Sequence, residues 1–213
     1  MKINIFLFMC IKSQSFDMIE TSEKRRCLRV EKKALMIIDM QTAVVEEGYK
    51  RDKVLDNINH LIQSARGLQI PIIYIQHESP EGPLKKGEPG WQFHPSLEKP
   101  LLQEVTIFKS VPNSFSHTPL QQTLDKLGVT ELYICGAQTE YCVDSTCRGA
   151  FDLGYDVTLI GDAHTTNDAN HLSAPRIIEH VHETLKNFWS PNAKICLKKT
   201  TELDWIESEI HPQ

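Results

Sequence analysis

The stretch ICGAQTEYCVDSTCRG, Ile134 to Gly149, runs from an apolar segment through a polar turn into a helix-forming segment, and Cys142 stands where that helix starts. With Thr139 as N-cap, its side-chain oxygen accepts a backbone N–H near Cys142, and the remaining free amides of the first turn surround the sulfur. Such unsatisfied donors carry partial positive charge, which lowers a cysteine pKa and favours the thiolate. The competing reading is packing, because cysteine is among the most buried residue types; position alone does not separate nucleophile from core. Two further residues bear on the choice. Asp39 closes the apolar run ALMIID and Lys109 closes VTIFK. Singly, an aspartate there caps the next segment and a lysine is solvated. Together, a thiol, a carboxylate and a fixed cation are the set a thiol hydrolase needs.

These residues meet only if the elements carrying them end on one edge. Short apolar runs rich in β-branched residues recur at 34–39, 71–76, 105–109, 131–136, 156–161 and 193–198. Helical patterns separate them, from about Asp52 to Leu68, Pro119 to Leu127, behind Cys142, Leu172 to Phe188 and Thr201 to Ser208. Fully apolar strands alternating with helices predict an α/β fold: a doubly wound, mainly parallel six-stranded sheet with helices on both faces, a Rossmann-like three-layer sandwich. In such sheets functional groups lie beyond the carboxyl ends of the strands. Asp39, Lys109 and Cys142 all follow strand ends.

The chain has 213 residues, 40% hydrophobic and 24% charged, enough for one core, and a single domain is expected over residues 31–213. Residues 1–30 read as a poorly ordered extension. The apolar run Ile5 to Ile11 in it is far shorter than the roughly 20 residues that span a bilayer, no small-residue cleavage site follows it, and Met18 is an alternative start. A net charge of −5 with scattered lysines and arginines gives no footprint for nucleic acid or an anionic membrane, and neither is expected as a partner. Six dispersed cysteines without a CxxC pair fit a reducing, cytoplasmic setting.

From Ala34 to Lys198 the chain resembles the isochorismatase-like family of cysteine hydrolases. The resemblance is carried by ALMIIDMQ (34–41), FKSVPNSFSHTPL (108–120), GAQTEYCVDSTCRGAFDLGYDV (136–157) and GDAHTTND (161–168). It implies Asp39 as base, Lys109 as charge stabiliser and Cys142 as nucleophile. It also implies a cis peptide between Ala137 and Gln138, with the backbone N–H groups of Gln138 and Cys142 forming an oxyanion hole. No cofactor is implied. The metal-binding pattern of the nicotinamidase branch is missing after Gln76, where the chain reads His77-Glu78-Ser79-Pro80, so no metal is expected. Branches that hydrolyse the vinyl ether of isochorismate lack the cysteine present here. The expected substrate is therefore a small-molecule amide, and a homo-oligomer is expected. The alternatives are an isochorismate-type hydrolase and a non-catalytic oligomer that only binds in the cleft.

Specificity is expected from the segment His77 to Lys99, rich in proline and glycine and without strand or helix period. Trp91 in its middle reads either as a pocket wall or as a plug packed on the sheet edge. Gln41, Trp91, Phe115 and Tyr141 are the expected substrate-binding walls. His77 and His94 read either as substrate contacts or as the surface groups that most of the nine histidines of an ordinary chain are, and the sequence leaves that choice open.

Overall fold

The computed structural model describes residues 32–207. The extension expected over residues 1–30 lies outside them. In chain order the elements are β1 (Lys33–Ile38), α1 (Thr42–Val45), α2 (Arg51–Gly67), β2 (Ile72–His77), β3 (Val105–Lys109), α3 (Leu120–Leu127) and β4 (Glu131–Ala137). They continue with α4 (Asp144–Asp152), β5 (Asp156–Thr165), α5 (Ala174–Leu185), β6 (Ile195–Lys198) and α6 (Asp204–Glu207).

The sheet order is β3-β2-β1-β4-β5-β6, and every pairing is parallel. The chain winds outward from β1 to β3, returns to the centre at β4, and winds outward again to β6. This is the doubly wound α/β architecture expected, and its switch point lies between β1 and β4. Asp39 leaves one of these strands and the Cys142 turn leaves the other.

Burial explains why the strands are apolar throughout. One face packs α2, α6 and the residue before α6 through Val54, Leu55, Ile58, Leu61, Ile62, Trp205 and Leu203 against Leu35, Ile37 and Tyr74. The other packs α3, α4 and α5 through Leu124, Cys147, Ala150 and Val181 against Met36, Ile38, Ile73 and Ile134. The three- and four-residue spacing of Val54, Leu55, Ile58, Leu61 and Ile62 makes one stripe on α2, each such buried side chain stabilising by roughly 1.5–3 kcal/mol. Asp52 in the first turn and Arg66 in the last complement that helix's dipole.

Where β4 crosses β1, Gly136 has φ 120°, and a β-carbon there would overlap Ile38 O. Only glycine permits that approach. Beyond it the β4–β5 register shifts, so that Ile134 faces Leu159 but Gly136 faces His164. This irregularity lets β5 run to Thr165, past the expected end at Gly161, because pairing to β4 resumes after it. Two helices also differ from expectation. The segment expected from Leu172 begins as helix only at Ala174, after an extended Ser173 and with proline in its first turn. The last one splits into a 3-10 turn, Thr200–Glu202, and α6, because Leu203 is extended and buried.

Candidate active site

Three strand ends deliver one cluster. Asp39, directly after β1, has φ 47°, a left-handed conformation costing an aspartate about 1–2 kcal/mol, and is buried. Lys109 ends β3, is 3% exposed, and lies opposite His77 at the end of β2. Its Nζ is 2.6 Å from Asp39 Oδ2, 3.1 Å from Cys142 Sγ and 3.2 Å from His77 Nδ1. An ammonium has three protons to donate, so all three are committed. Because Lys109 donates, His77 accepts at Nδ1 and carries its proton on Nε2. Burial and the Lys109 charge lower the His77 pKa and keep the ring neutral.

Cys142 sits in a single π-helical turn, Thr139–Val143, immediately before α4. This corrects two expectations. Thr139 is not the N-cap: the turn is entered through extended Gln138 without a side-chain cap, and the Thr139 hydroxyl bonds His164 Nδ1 at 2.8 Å instead. Nor is the thiolate the resting form. Burial, then the Asp39 charge, push the Cys142 thiol up to about 12, and Lys109 only partly opposes them. At neutral pH the proton rests on sulfur beside a carboxyl group. Burial likewise raises Asp39 above its ordinary value, against the pull of Lys109.

The Ala137–Gln138 peptide is cis. Gln138 O accepts the amides of Tyr141 and Val143, passing over the amide of Cys142 between them. Ligand atoms of Asp39, His77 and Cys142 lie within 4.8 Å of one another, the only such trio among the described residues. Lys109 Nζ touches all three residues, so a fixed positive charge stands against the set and opposes a divalent ion there.

The expected wall residues separate. Gln41 is fully buried behind the cleft, its Nε2 donating to His77 O and Trp91 O (both 2.8 Å) and its Oε1 accepting from His77 N. It ties the long loop to β2. Gln76 Nε2 adds a second bond to Trp91 O, 2.8 Å. Trp91 stacks on Phe108 of the edge strand β3, centroids 6.0 Å apart, which favours the plug over the wall. Next to it, a side chain on Gly90 would meet Ala43 Cβ at 2.7 Å, so the loop can lie this close to α1 only as glycine. Phe115 stacks on Tyr155. Tyr141, 57% exposed, adjoins Cys142 in the chain. His94 is buried in the loop, its Nδ1 accepting from Ser96 N.

Sequence reasoning missed the contact between His77 and Lys109, and the chain Thr139–His164–His182. The first was within reach, since His77 also ends a strand at the same sheet edge. The second depends on the irregular β4–β5 register, which no periodicity reveals.

A doubly wound parallel sheet with a thiol, a carboxylate and an ammonium converging at its carboxyl edge defines an α/β protein equipped for chemistry at sulfur. Comparison with known proteins narrows the class: residues 33–183 match the isochorismatase domain, and the chain belongs to the isochorismatase family. A streptothricin hydrolase of Streptomyces noursei is 37% identical over 139 residues, 63% of this chain but about half of that protein's length, 50%. An uncharacterised isochorismatase family protein of Bacillus subtilis (strain 168), YddQ, is 31% identical over 181 residues, covering 79% of this chain and 96% of that one. The crystal structure of an isochorismatase family protein, 34% identical, superposes with a TM-score of 0.68 over 76% of this chain and 96% of its own.

Proposed function

We propose that this chain is a cysteine hydrolase that cleaves the C–N bond of a small amide through a thioester on Cys142. The observation that carries the reading is the convergence of Asp39, Cys142 and His77 on the buried ammonium of Lys109. A thiol whose pKa is pushed to about 12 is a poor nucleophile unless a base takes its proton as it attacks. Asp39 is that base. Its Oδ2 is held by Lys109 while Oδ1 has no hydrogen-bond partner, leaving an acceptor for the thiol proton.

Sulfur attacks the amide carbonyl, and the backbone N–H groups of Gln138 and Cys142 hold the oxyanion as charge develops. Protonated Asp39 then gives its proton to the leaving nitrogen, and ammonia or an amine departs. Water, deprotonated by Asp39, attacks the thioester carbonyl; the sulfur leaves, recovers its proton, and the carboxylic acid is released. Lys109 stays charged throughout, holding Asp39 in place and balancing the negative charge that passes between oxygen and sulfur. Streptothricin hydrolase, by its name a hydrolase, supports the broader class. The test is an ammonia-release screen over small primary amides with wild type and Cys142→Ala. Turnover of at least one amide, falling about 10³-fold or more in the folded variant, is expected; activity that survives Cys142→Ala contradicts the reading.

A further inference from the structure

A second polar chain reaches the Cys142 turn from the opposite side. Thr139, the first residue of the π turn, is fully buried, and its hydroxyl lies 2.8 Å from His164 Nδ1. His164, itself 2% exposed, stands beside Gly136 where the β5 register has shifted. Its Nε2 is 2.8 Å from Nε2 of His182 on α5, the rings meeting edge to face at 4.9 Å. Helix α5 also packs on the π turn itself.

Counting protons fixes the direction of these bonds. The two Nε2 atoms share one proton. If His182 supplied it, His164 would carry its own proton on Nδ1 and donate to Thr139, and the hydroxyl proton would have to find another acceptor. Among the described residues Thr139 Oγ1 has no other hydrogen bond. If His164 supplies it, Nδ1 is a bare acceptor, Thr139 donates to it, and every buried group is satisfied. His164 stays neutral, because burial and then His182 lower its pKa to about 3.

We propose that Thr139, oriented by an Nε2–H tautomer of His164 that His182 fixes, is a positioning residue that holds the π turn so that Cys142 Sγ stays against Lys109 and Asp39. The proposal rests on Cys142 being the nucleophile. Two residues separate Thr139 from Cys142, and Gln138 O accepts the amides on either side of Cys142, those of Tyr141 and Val143, so a hydroxyl anchored at the start of the turn sets where the sulfur lies. Loss of the anchor leaves the fold and moves the thiol.

The probe is iodoacetamide on the full chain, the alkylation rate of Cys142 being read by mass spectrometry of its peptide. Thr139→Val, nearly isosteric, should slow alkylation about 10-fold or more, whereas Thr139→Ser should stay within about twofold. At position 164 the two amides separate the roles. His164→Asn places an acceptor where Nδ1 was and should retain most of the rate; His164→Gln replaces Nε2 instead and should be as slow as Thr139→Val. In turnover of the best amide, Thr139→Val should lower kcat with KM little changed. If Thr139→Val unfolds, Thr139→Val/His164→Leu removes both partners together, and should fold yet remain slow. Ring ¹⁵N shifts should report His164 as the Nε2–H tautomer. Wild-type alkylation in folded Thr139→Val, a rate in His164→Gln above that in His164→Asn, or an Nδ1–H His164 overturns the proposal. Amidase activity surviving Cys142→Ala would instead strike the nucleophile assignment, leaving the ranking of alkylation rates as a separate result.

Discussion

Two buried polar networks flank the turn that carries Cys142, and they are built on opposite principles. On the side of β1, β2 and β3, a full charge pair is removed from water: Asp39 and Lys109, 2.6 Å apart, with Cys142 and neutral His77 completing the ammonium's bonds. On the side of β5 and α5, Thr139, His164 and His182 form a neutral chain. Burying a charge pair is expensive, and a packed apolar pair would often serve the fold as well or better. Neutral hydrogen-bonded groups cost little once satisfied. Under the proposed mechanism, chemistry falls to the charged side and geometry to the neutral side.

The sharpest way to break this comparison is to remove the cation. Lys109→Met strands the Asp39 carboxylate, and we expect a loss of about 3–5 kcal/mol in denaturant unfolding together with near-complete loss of turnover. Adding Asp39→Asn should recover most of the stability and none of the activity. If the double variant regained turnover, the charged side would be scaffolding rather than machinery.

A change of pH probes the same side more gently. Asp39 must be ionised to act as base, and burial raises its pKa. The acid limb of kcat/KM should therefore fall, as pH decreases, through a value above the ordinary carboxylate range near 4. Protonation removes the base, so activity is lost as pH falls through that limb and kept above it. A limb at the ordinary value in wild type would remove Asp39 from that role. The smallest effect expected is none: exhaustive chelation should leave turnover unchanged, since the Lys109 ammonium already contacts Asp39, His77 and Cys142. Activity lost on chelation and restored by zinc or iron would refute that.

Much of the charged side was legible in the chain. Asp39, Lys109 and Cys142 each follow an apolar run, and strand ends of a parallel sheet share an edge, so their meeting followed from topology. The fold was legible for the same reason: buried parallel strands read as unbroken apolar segments. What the sequence concealed lies where local rules give way. Thr139 reads as an N-cap by residue type, but a π turn and a histidine from a distant strand claim its hydroxyl. Cys142 reads as a thiolate by helix position, but burial and the neighbouring Asp39 charge raise its pKa against the pull of Lys109. Gln41 reads as a wall, yet its amide makes three bonds that hold the loop against β2, a long-range pattern that no local spacing encodes.

The central claim is that sulfur carries the acyl group, and acid quenching during turnover of a good amide tests it directly. Mass spectrometry of the peptide containing Cys142 should show the mass of the acyl group, present in wild type and suppressed in Asp39→Asn because a neutral amide cannot accept the thiol proton. Isochorismate should not be consumed under the same conditions. An unmodified Cys142 peptide throughout turnover, or steady isochorismate cleavage that persists in Cys142→Ala, would show that the cysteine is a bystander and that the chemistry runs elsewhere.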